Sequence, residues 1–307
     1  MARIGIDLGG TKIAAIGQLP DGRFTAEHRL TTPKDDYAAT VRAVAEAVSW
    51  AEAELSRLGG TDSPATPTSV GVGIPGSIAP TTRTVQNANS TWLNGRPLKA
   101  DLEAAVGQPV AIENDANCFA LSEALDGAGA GARTVFGVIL GTGCGGGIVI
   151  DGRLLDGPRG ISGEWGHMPL PLPYDDERPG PSCWCGRTGC IETWISGPAL
   201  AADYQRTTGK SCDAADIAEQ AAAGDTAAQI AISRHADRTA RGLAAIINLI
   251  DPDVIVLGGG LSKMAHLYRD LPALIAPHLF AEDQTVSIRP PEWGDASGVR
   301  GAARLWD

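Results

Sequence analysis

Within two dozen residues the chain offers one imidazole and three thiols, His167, Cys183, Cys185 and Cys190, bracketed by the carboxylates of Glu164 and Glu192. Zinc takes four nitrogen or sulfur ligands in a tetrahedron, and one His with three Cys is a closed structural set. A tight Cys-x-Cys turn and a glycine-lined return to Cys190 can bring three thiolates to one point. The plainer alternative is a group of buried cysteines acting as small apolar side chains. It ranks below zinc, because half of the six cysteines fall in eight residues beside prolines and glycines. Four protein ligands leave no position for water, so such a metal shapes a loop and does no chemistry. Glu164 and Glu192 at the loop's two ends point to a polar ligand.

A second kind of chemistry is written in glycine. Asp7-Leu8-Gly9-Gly10-Thr11-Lys12 joins two short strands, and paired glycines let backbone N–H groups approach an anion closely. A bare Gly-Gly turn usually binds nothing, but Asp7, Thr11 and Lys12 around this one favour phosphate. Residues 141–147, with Thr142 and Gly143 at the head, fit a G-x-G-x-x-G spacing. A dinucleotide fingerprint needs a helix next; here β-branched residues run on to an Asp151-Gly152 turn, so this is a second hairpin echoing the first. Gly258, Gly259 and Gly260 follow a strand and precede a helix starting near Leu261, the right order for a turn that touches a nucleotide. Gly209-Lys210-Ser211 is no Walker motif, since Tyr204 stands where its leading glycine belongs.

Asn114-Asp115 ends the strand 110–113 and opens a helix over 116–125. Asp is a favoured N-cap, a role compatible with a catalytic carboxylate at a strand end. The loop 87–95 carries Asn87, Asn89 and Asn94 around Trp92, amides with an aromatic plate that suit a hydroxylated ring. Local side-chain turns account for it equally well. Cys118, Cys144 and Cys212 have no evident role.

The elements that must position these groups alternate strand and helix, which predicts an α/β protein. Helices are expected over 36–58, 225–250 and 295–305, strands over 4–7, 13–16, 70–74, 135–140, 148–150 and 253–257, and a surface loop over 60–68. With 307 residues, 43% of them apolar and 20% charged, the chain has the composition of an ordinary globular protein of up to two domains. A net charge of −11 and no basic run argue against nucleic acid or an anionic membrane as partner. No signal peptide or membrane-length apolar run is visible, and clustered thiols fit a reducing, cytoplasmic setting. The sequon at Asn89 is then irrelevant.

In combination, residues 7–12, 113–117, 141–147, 163–167 and 183–192 resemble the ROK family of sugar kinases and repressors, along the whole chain. Within it, the loop 87–95 and the tail 294–301 look most like bacterial fructokinases of the manno(fructo)kinase type. N-acetylglucosamine kinases share most of these motifs and differ in the loop at 90–93. The resemblance implies a two-domain, actin-like and hexokinase-like ATPase fold of the ribonuclease H-like kind, with a cleft between domains. The smaller domain is expected over 1–114 plus about 294–307, and the larger, with the zinc loop, over 115–293. It implies ATP with Mg²⁺, structural Zn²⁺, and phosphorylation of the 6-hydroxyl of fructose, with mannose, glucose or N-acetylglucosamine as alternatives. Asp115 would be the general base. Gly76, Asn89, Asn114, Glu164, His167 and Glu192 would hold the sugar, with His167 also on zinc. Gly9, Gly10 and Thr11 would contact the γ-phosphate, Asp7 would hold Mg²⁺, and Lys12 would add charge. Thr142 and Gly143 would cradle the β-phosphate, and Gly258, Gly259 and Gly260 the adenosine end. A homodimer is the family's habit. Repressor members carry a helix-turn-helix before the first hairpin, which here begins at residue 4, so a kinase is expected; a zinc hydrolase would need an open ligand position.

Overall fold

The computed structural model describes residues 1–59 and 68–306. The loop expected over 60–68 lies outside the described residues, except for Thr68, which opens a strand. The chain forms two compact units, the first comprising Met1–Glu123, Leu154–Ser162 and Ala296–Asp307, the second Ala124–Arg153 and Gly163–Asp295. The first unit therefore runs on past residue 114 through most of the following helix and also takes a short internal segment.

In the first unit, β1 (Ala2–Leu8), β2 (Lys12–Gln18), β3 (His28–Thr31), β4 (Thr68–Ile74) and β7 (Val110–Asn114) form one sheet, ordered β3-β2-β1-β4-β7. A small hairpin of β5 (Ser77–Ile78) and β6 (Val85–Gln86) lies between β4 and β7 in sequence. β1 and β2 are antiparallel up to Leu8 opposite Ile13, while β1, β4 and β7 run parallel. Ile4, Ile6, Val70 and Val72 are wholly buried, as parallel strands covered on both faces require. Helix α1 (Tyr37–Gly59) buries Val44, Val48, Ala51 and Leu55, a three-and-four spacing that makes one apolar stripe. α2 (Leu98–Val106) buries Leu98 and Leu102, and α3 (Asp115–Asp126) starts directly from the end of β7.

The second unit repeats the plan. β8 (Thr134–Leu140), β9 (Cys144–Ile150), β10 (Arg153–Leu154), β11 (Val254–Gly258) and β12 (Ile288–Arg289) are ordered β10-β9-β8-β11-β12. β8 and β9 are antiparallel, and β8, β11 and β12 parallel. The turn is shorter than the expected 141–147: Gly145, Gly146 and Gly147 belong to β9, where a Cβ at Gly146 would come within 3.0 Å of both Phe136 and Trp165. Five helices follow: α4 (Glu192–Ile195), α5 (Gly197–Thr208), α6 (Ala214–Ala222), α7 (Thr226–Ile250) and α8 (Ala265–Ile275). Gly209, of the rejected Walker tripeptide, simply caps α5 in a left-handed conformation.

The 25-residue α7 carries Arg238 and Arg241, both almost fully buried against Glu177 at 2.8 Å. Their guanidinium groups also lie over Trp194 and Tyr174. Arg241 donates to the carbonyls of Pro171 and Leu172, so the loop leading to the cysteines is pinned to α7. No helix among the described residues is long and apolar enough to cross a membrane.

Finally α9 (Ser297–Ala302) returns to the first unit and settles on β1 and β4. A Cβ at Gly5 would lie 2.0 Å from the Val299 carbonyl oxygen, and one at Gly71 1.9 Å from that of Ala302. Helix backbone meets strand backbone there, and only glycine permits the approach.

Candidate functional site

The imidazole and the three thiols do converge. Ligand atoms of His167, Cys183, Cys185 and Cys190 all lie within 4.8 Å of one another. Cys183 Sγ is 3.5 Å from His167 Nδ1, and Cys185 Sγ is 3.7 Å from Cys190 Sγ. Bonds of about 2.0–2.3 Å to one tetrahedral ion would separate its ligands by roughly 3.5–3.8 Å, so the donor set and spacing fit zinc. Local backbone explains the convergence: Gly186 N–H donates to the Cys183 carbonyl to close the Cys-x-Cys turn, Leu170 N–H donates to the Gly189 carbonyl, and Ile191 N–H donates to that of Met168. Burial, then the neighbouring Cys185 and Cys183 thiols, push the Cys190 thiol up to about 12. A bound cation reverses that crowding, because thiols deprotonate on coordination.

Two glycines set the acids beside this cluster. A Cβ at Gly163 would lie 2.1 Å from the Gly146 oxygen, and one at Gly166 2.2 Å from that of Cys144. The segment 163–166 therefore lies flat on β9, with Trp165 buried and donating its indole N–H to the Gly145 carbonyl. Glu164 is carried alongside; burial raises its pKa, His167 opposes this and Glu192 adds to it. Glu192, at the start of α4, accepts the Cys144 N–H on Oε2 at 2.9 Å and the Trp184 indole N–H on Oε1 at 2.7 Å. Sequence reading missed Trp184; its only signal was a polar-ended aromatic between two ligands.

The second unit's glycine turns stand side by side, because Gly258 at the end of β11 pairs with Ile139 of β8. Gly141 is bonded to Gly143 within its turn and accepts the Gly197 N–H at the start of α5. Thr142 is exposed. Gly259 adopts φ +79° with a Cβ position only 2.4 Å from the Leu140 oxygen, while Gly260 faces open space. Beyond Gly260 runs a groove of about 1070 Å³ lined by Ala218, Gln229, Ser233, Lys263, His266 and Arg269 among others.

In the first unit, the Gly9 N–H donates to the Lys12 carbonyl, and Thr32 bonds both Gly9 and Thr11. Burial, tempered by Lys12 and reinforced by Glu27, lifts Asp7 up to about 6. The helix cap falls on Asn114 and not on Asp115: Asn114 Oδ1 accepts from Ala116 and Asn117 N–H, and its amide donates to the Gly76 carbonyl. Asp115 is the first helical residue and accepts the Ala116 N–H at 2.8 Å. Gly76 is left-handed, φ +98°, and a Cβ there would lie 2.5 Å from the Gln86 oxygen, so its backbone shape serves the β5–β6 hairpin. Asn89 is exposed. Trp92 is half-buried, packs against the first unit's core and donates its indole N–H to Thr40 of α1. Asn94 closes the same loop by gripping both N–H and C=O of Ala88. Glu113 and Asn117, two residues either side of Asp115 and unassigned from sequence, bond each other and line a cavity of about 380 Å³ with Ser77, Lys99, Gly160 and Ser162.

The family model described as ROK family matches residues 3–307. An N-acetyl-D-glucosamine kinase of Escherichia coli O6:H1 is 39% identical over 306 residues, covering 98% of each chain. One of Photobacterium profundum is 38% identical over 305 residues, again 98% of each. Among solved structures, a ROK hexokinase from Thermus thermophilus has a TM-score of 0.86 at 33% identity, covering 99% of this chain and 97% of that one. A ROK family glucokinase from Streptomyces griseus, in complex with glucose and AMPPNP, has a TM-score of 0.78 at 30% identity, covering 99% of both. The doubled α/β plan is thus the actin-like ATPase fold that these structures share.

Proposed function

The chain belongs to the ROK family and is an ATP-dependent sugar kinase, and from that premise we propose that its substrate is N-acetyl-D-glucosamine, phosphorylated on the primary hydroxyl in the cytoplasm. The observation that carries this substrate is the 37–39% identity, over 98% of each chain, to relatives named for that activity. D-fructose, with mannose, is the second reading, favoured by the residues of the loop 87–95 and the tail 294–301.

Phosphoryl transfer has a loose transition state, so the protein mainly positions groups and neutralises charge. Asp115 is the proposed base for the sugar hydroxyl. A carboxylate is a weak base towards an alcohol, so its first task is orientation, the proton leaving late as the oxygen bonds to phosphorus. Asn89, Asn114, Glu164, His167 and Glu192 are assigned to sugar hydroxyls. Asn114 is fixed for this by the cap of α3 and by Gly76. Gly9, Gly10 and Thr11 are assigned to the γ-phosphate with Lys12 nearby, and Thr142 and Gly143 to the β-phosphate. Gly258, Gly259 and Gly260 are assigned to adenosine, which the adjoining groove has room to take. Asp7 would hold Mg²⁺, probed by its buried carboxyl, and Mg²⁺ supplies charge neutralisation on the phosphates. His167 Nδ1 with the three cysteines would hold zinc, leaving Nε2 for the sugar.

An ATP-consumption panel of N-acetylglucosamine, fructose, mannose and glucose tests the substrate. The highest kcat/KM is expected with N-acetylglucosamine; a higher value with fructose would replace the substrate and leave the kinase in place. A homodimer, proposed from the family's habit, is checked by sedimentation.

A further inference from the structure

Trp184 stands between two of the metal-site cysteines with 61% of its surface exposed, so burial of apolar area does not explain a tryptophan there. Its ring meets His167 edge-on, centroids 4.9 Å apart, and its N–H is spent on Glu192 Oε1. The other oxygen of Glu192 takes the Cys144 N–H, immediately after the Thr142–Gly143 turn. A Cβ at Gly143 would sit 2.8 Å from that same oxygen, so the turn is shaped to admit the carboxylate. A carboxylate offers about four lone-pair sites. With one donor fixed on each oxygen, the carboxylate plane is set and the remaining sites have defined directions.

We propose that Trp184 is a positioning residue for Glu192, through which the thiol loop orients the sugar-binding carboxylate and braces the second glycine turn. This deepens the assignment of Glu192 to a sugar hydroxyl and rests on it. A metal-bound loop holds the indole, the indole holds one carboxylate oxygen, and the turn's N–H holds the other. Sugar affinity then depends on a residue that need not touch the sugar.

The test is a double-mutant cycle on the zinc-loaded protein, using ATP and N-acetylglucosamine, or fructose if the panel prefers it. Glu192→Gln is expected to raise the sugar KM at least tenfold. Trp184→Phe keeps an aromatic ring and loses the N–H; it is expected to raise the sugar KM about three- to tenfold, the scale of one ordinary hydrogen bond, with kcat within about twofold. Zinc content stays at one per chain. In the Glu192→Gln background, Trp184→Phe adds nothing, because both act on one carboxylate; a merely structural role would add its full effect. If Trp184→Phe loses zinc, benzothienylalanine at 184, which keeps the bicyclic shape without N–H, carries the same test. An unchanged sugar KM in the zinc-loaded Trp184 variant, with Glu192→Gln impaired, overturns the role of Trp184 alone. An unchanged KM in Glu192→Gln overturns the assignment of Glu192 and the proposal with it.

Discussion

The two glycine hairpins sit at equivalent places in two sheets of the same strand order, yet they are held by different chemistry. The turn after β1 is fastened by backbone and hydroxyl groups: Gly9 to Lys12, Thr32 to Gly9 and Thr11, with Ser90 against Gly10. The turn after β8 has the same kind of backbone bond, Gly141 to Gly143, and in addition a carboxylate, Glu192, that is bonded to the thiol loop. One fold plan thus carries a turn held by backbone and hydroxyl groups and another whose carboxylate is also bonded to the thiol loop. The second unit is also the one with two buried imidazoles and a buried arginine pair.

The largest effect should come from the first unit and leave the second untouched. Asp115→Ala is expected to lower kcat by about 10²–10⁴-fold, with zinc content and nucleotide binding unchanged; turnover like the wild type would remove Asp115 from the mechanism.

Acid separates the units next. Burial lowers His235 and His266 to about 4, with His235 tempered by its bond to the Ile195 carbonyl and His266 depressed further by His235. Groups held neutral in the fold keep their full stability above pH 6.5, the unfolded value, and lose it as pH falls towards about 4. The loss is on the order of 3 kcal/mol for a fully buried group such as His235. Asp7 has the opposite sign: its raised value contributes stability below about pH 3.8, lost as pH rises through about 6. Hydrogen exchange, corrected for intrinsic rate, should therefore show α7 and α8 losing protection between pH 6.5 and 4 while β1 does not. Parallel loss in both units would erase the distinction.

Metal removal sharpens the contrast between the turns. Chelation is expected to raise the sugar KM about tenfold and speed exchange at the Cys144 amide, leaving the Gly9 amide as it was; equal change at both would mean that the turns are not held differently. The tenfold figure corresponds to about 1.4 kcal/mol, the scale of one charged hydrogen bond.

The smallest effect is a pair of alanines. A Cβ at Gly143 meets only the tip of Glu192, whereas one at Gly9 meets the Lys12 backbone oxygen at 3.0 Å. Gly143→Ala should raise the sugar KM a few-fold by displacing that carboxylate, and Gly9→Ala should raise the ATP KM instead. The same parameter moving in both variants would count against separate fastening.

Much of this was legible in the sequence because glycine between β-branched runs has few uses, and four metal-type side chains in a short span have fewer. Both hairpins, α1, α7 and the converging cysteines follow from that. Less legible were α5 and α6, which are short and joined by a brief loop, and the two-residue strands of the β5–β6 pair. Asn114 and Asp115 are both good caps by type, and only geometry gives the role to Asn114. The bond that anchors Trp92 is not legible either, because Thr40 comes from α1, far away in sequence. The Trp184–Glu192 bond was hidden for a similar reason: it joins side chains eight residues apart across a turn whose backbone bonds only the structure shows.

The notches at Gly5 and Gly71 have a consequence for synthesis. They are cut in the earliest strands of the chain, and the backbone that fills them belongs to residues 297–302. A ribosome therefore releases the first sheet with its floor open and translates the entire second unit before the piece that seals it emerges. Until then the sheet face at Gly5 and Gly71 lacks the helix that packs on it.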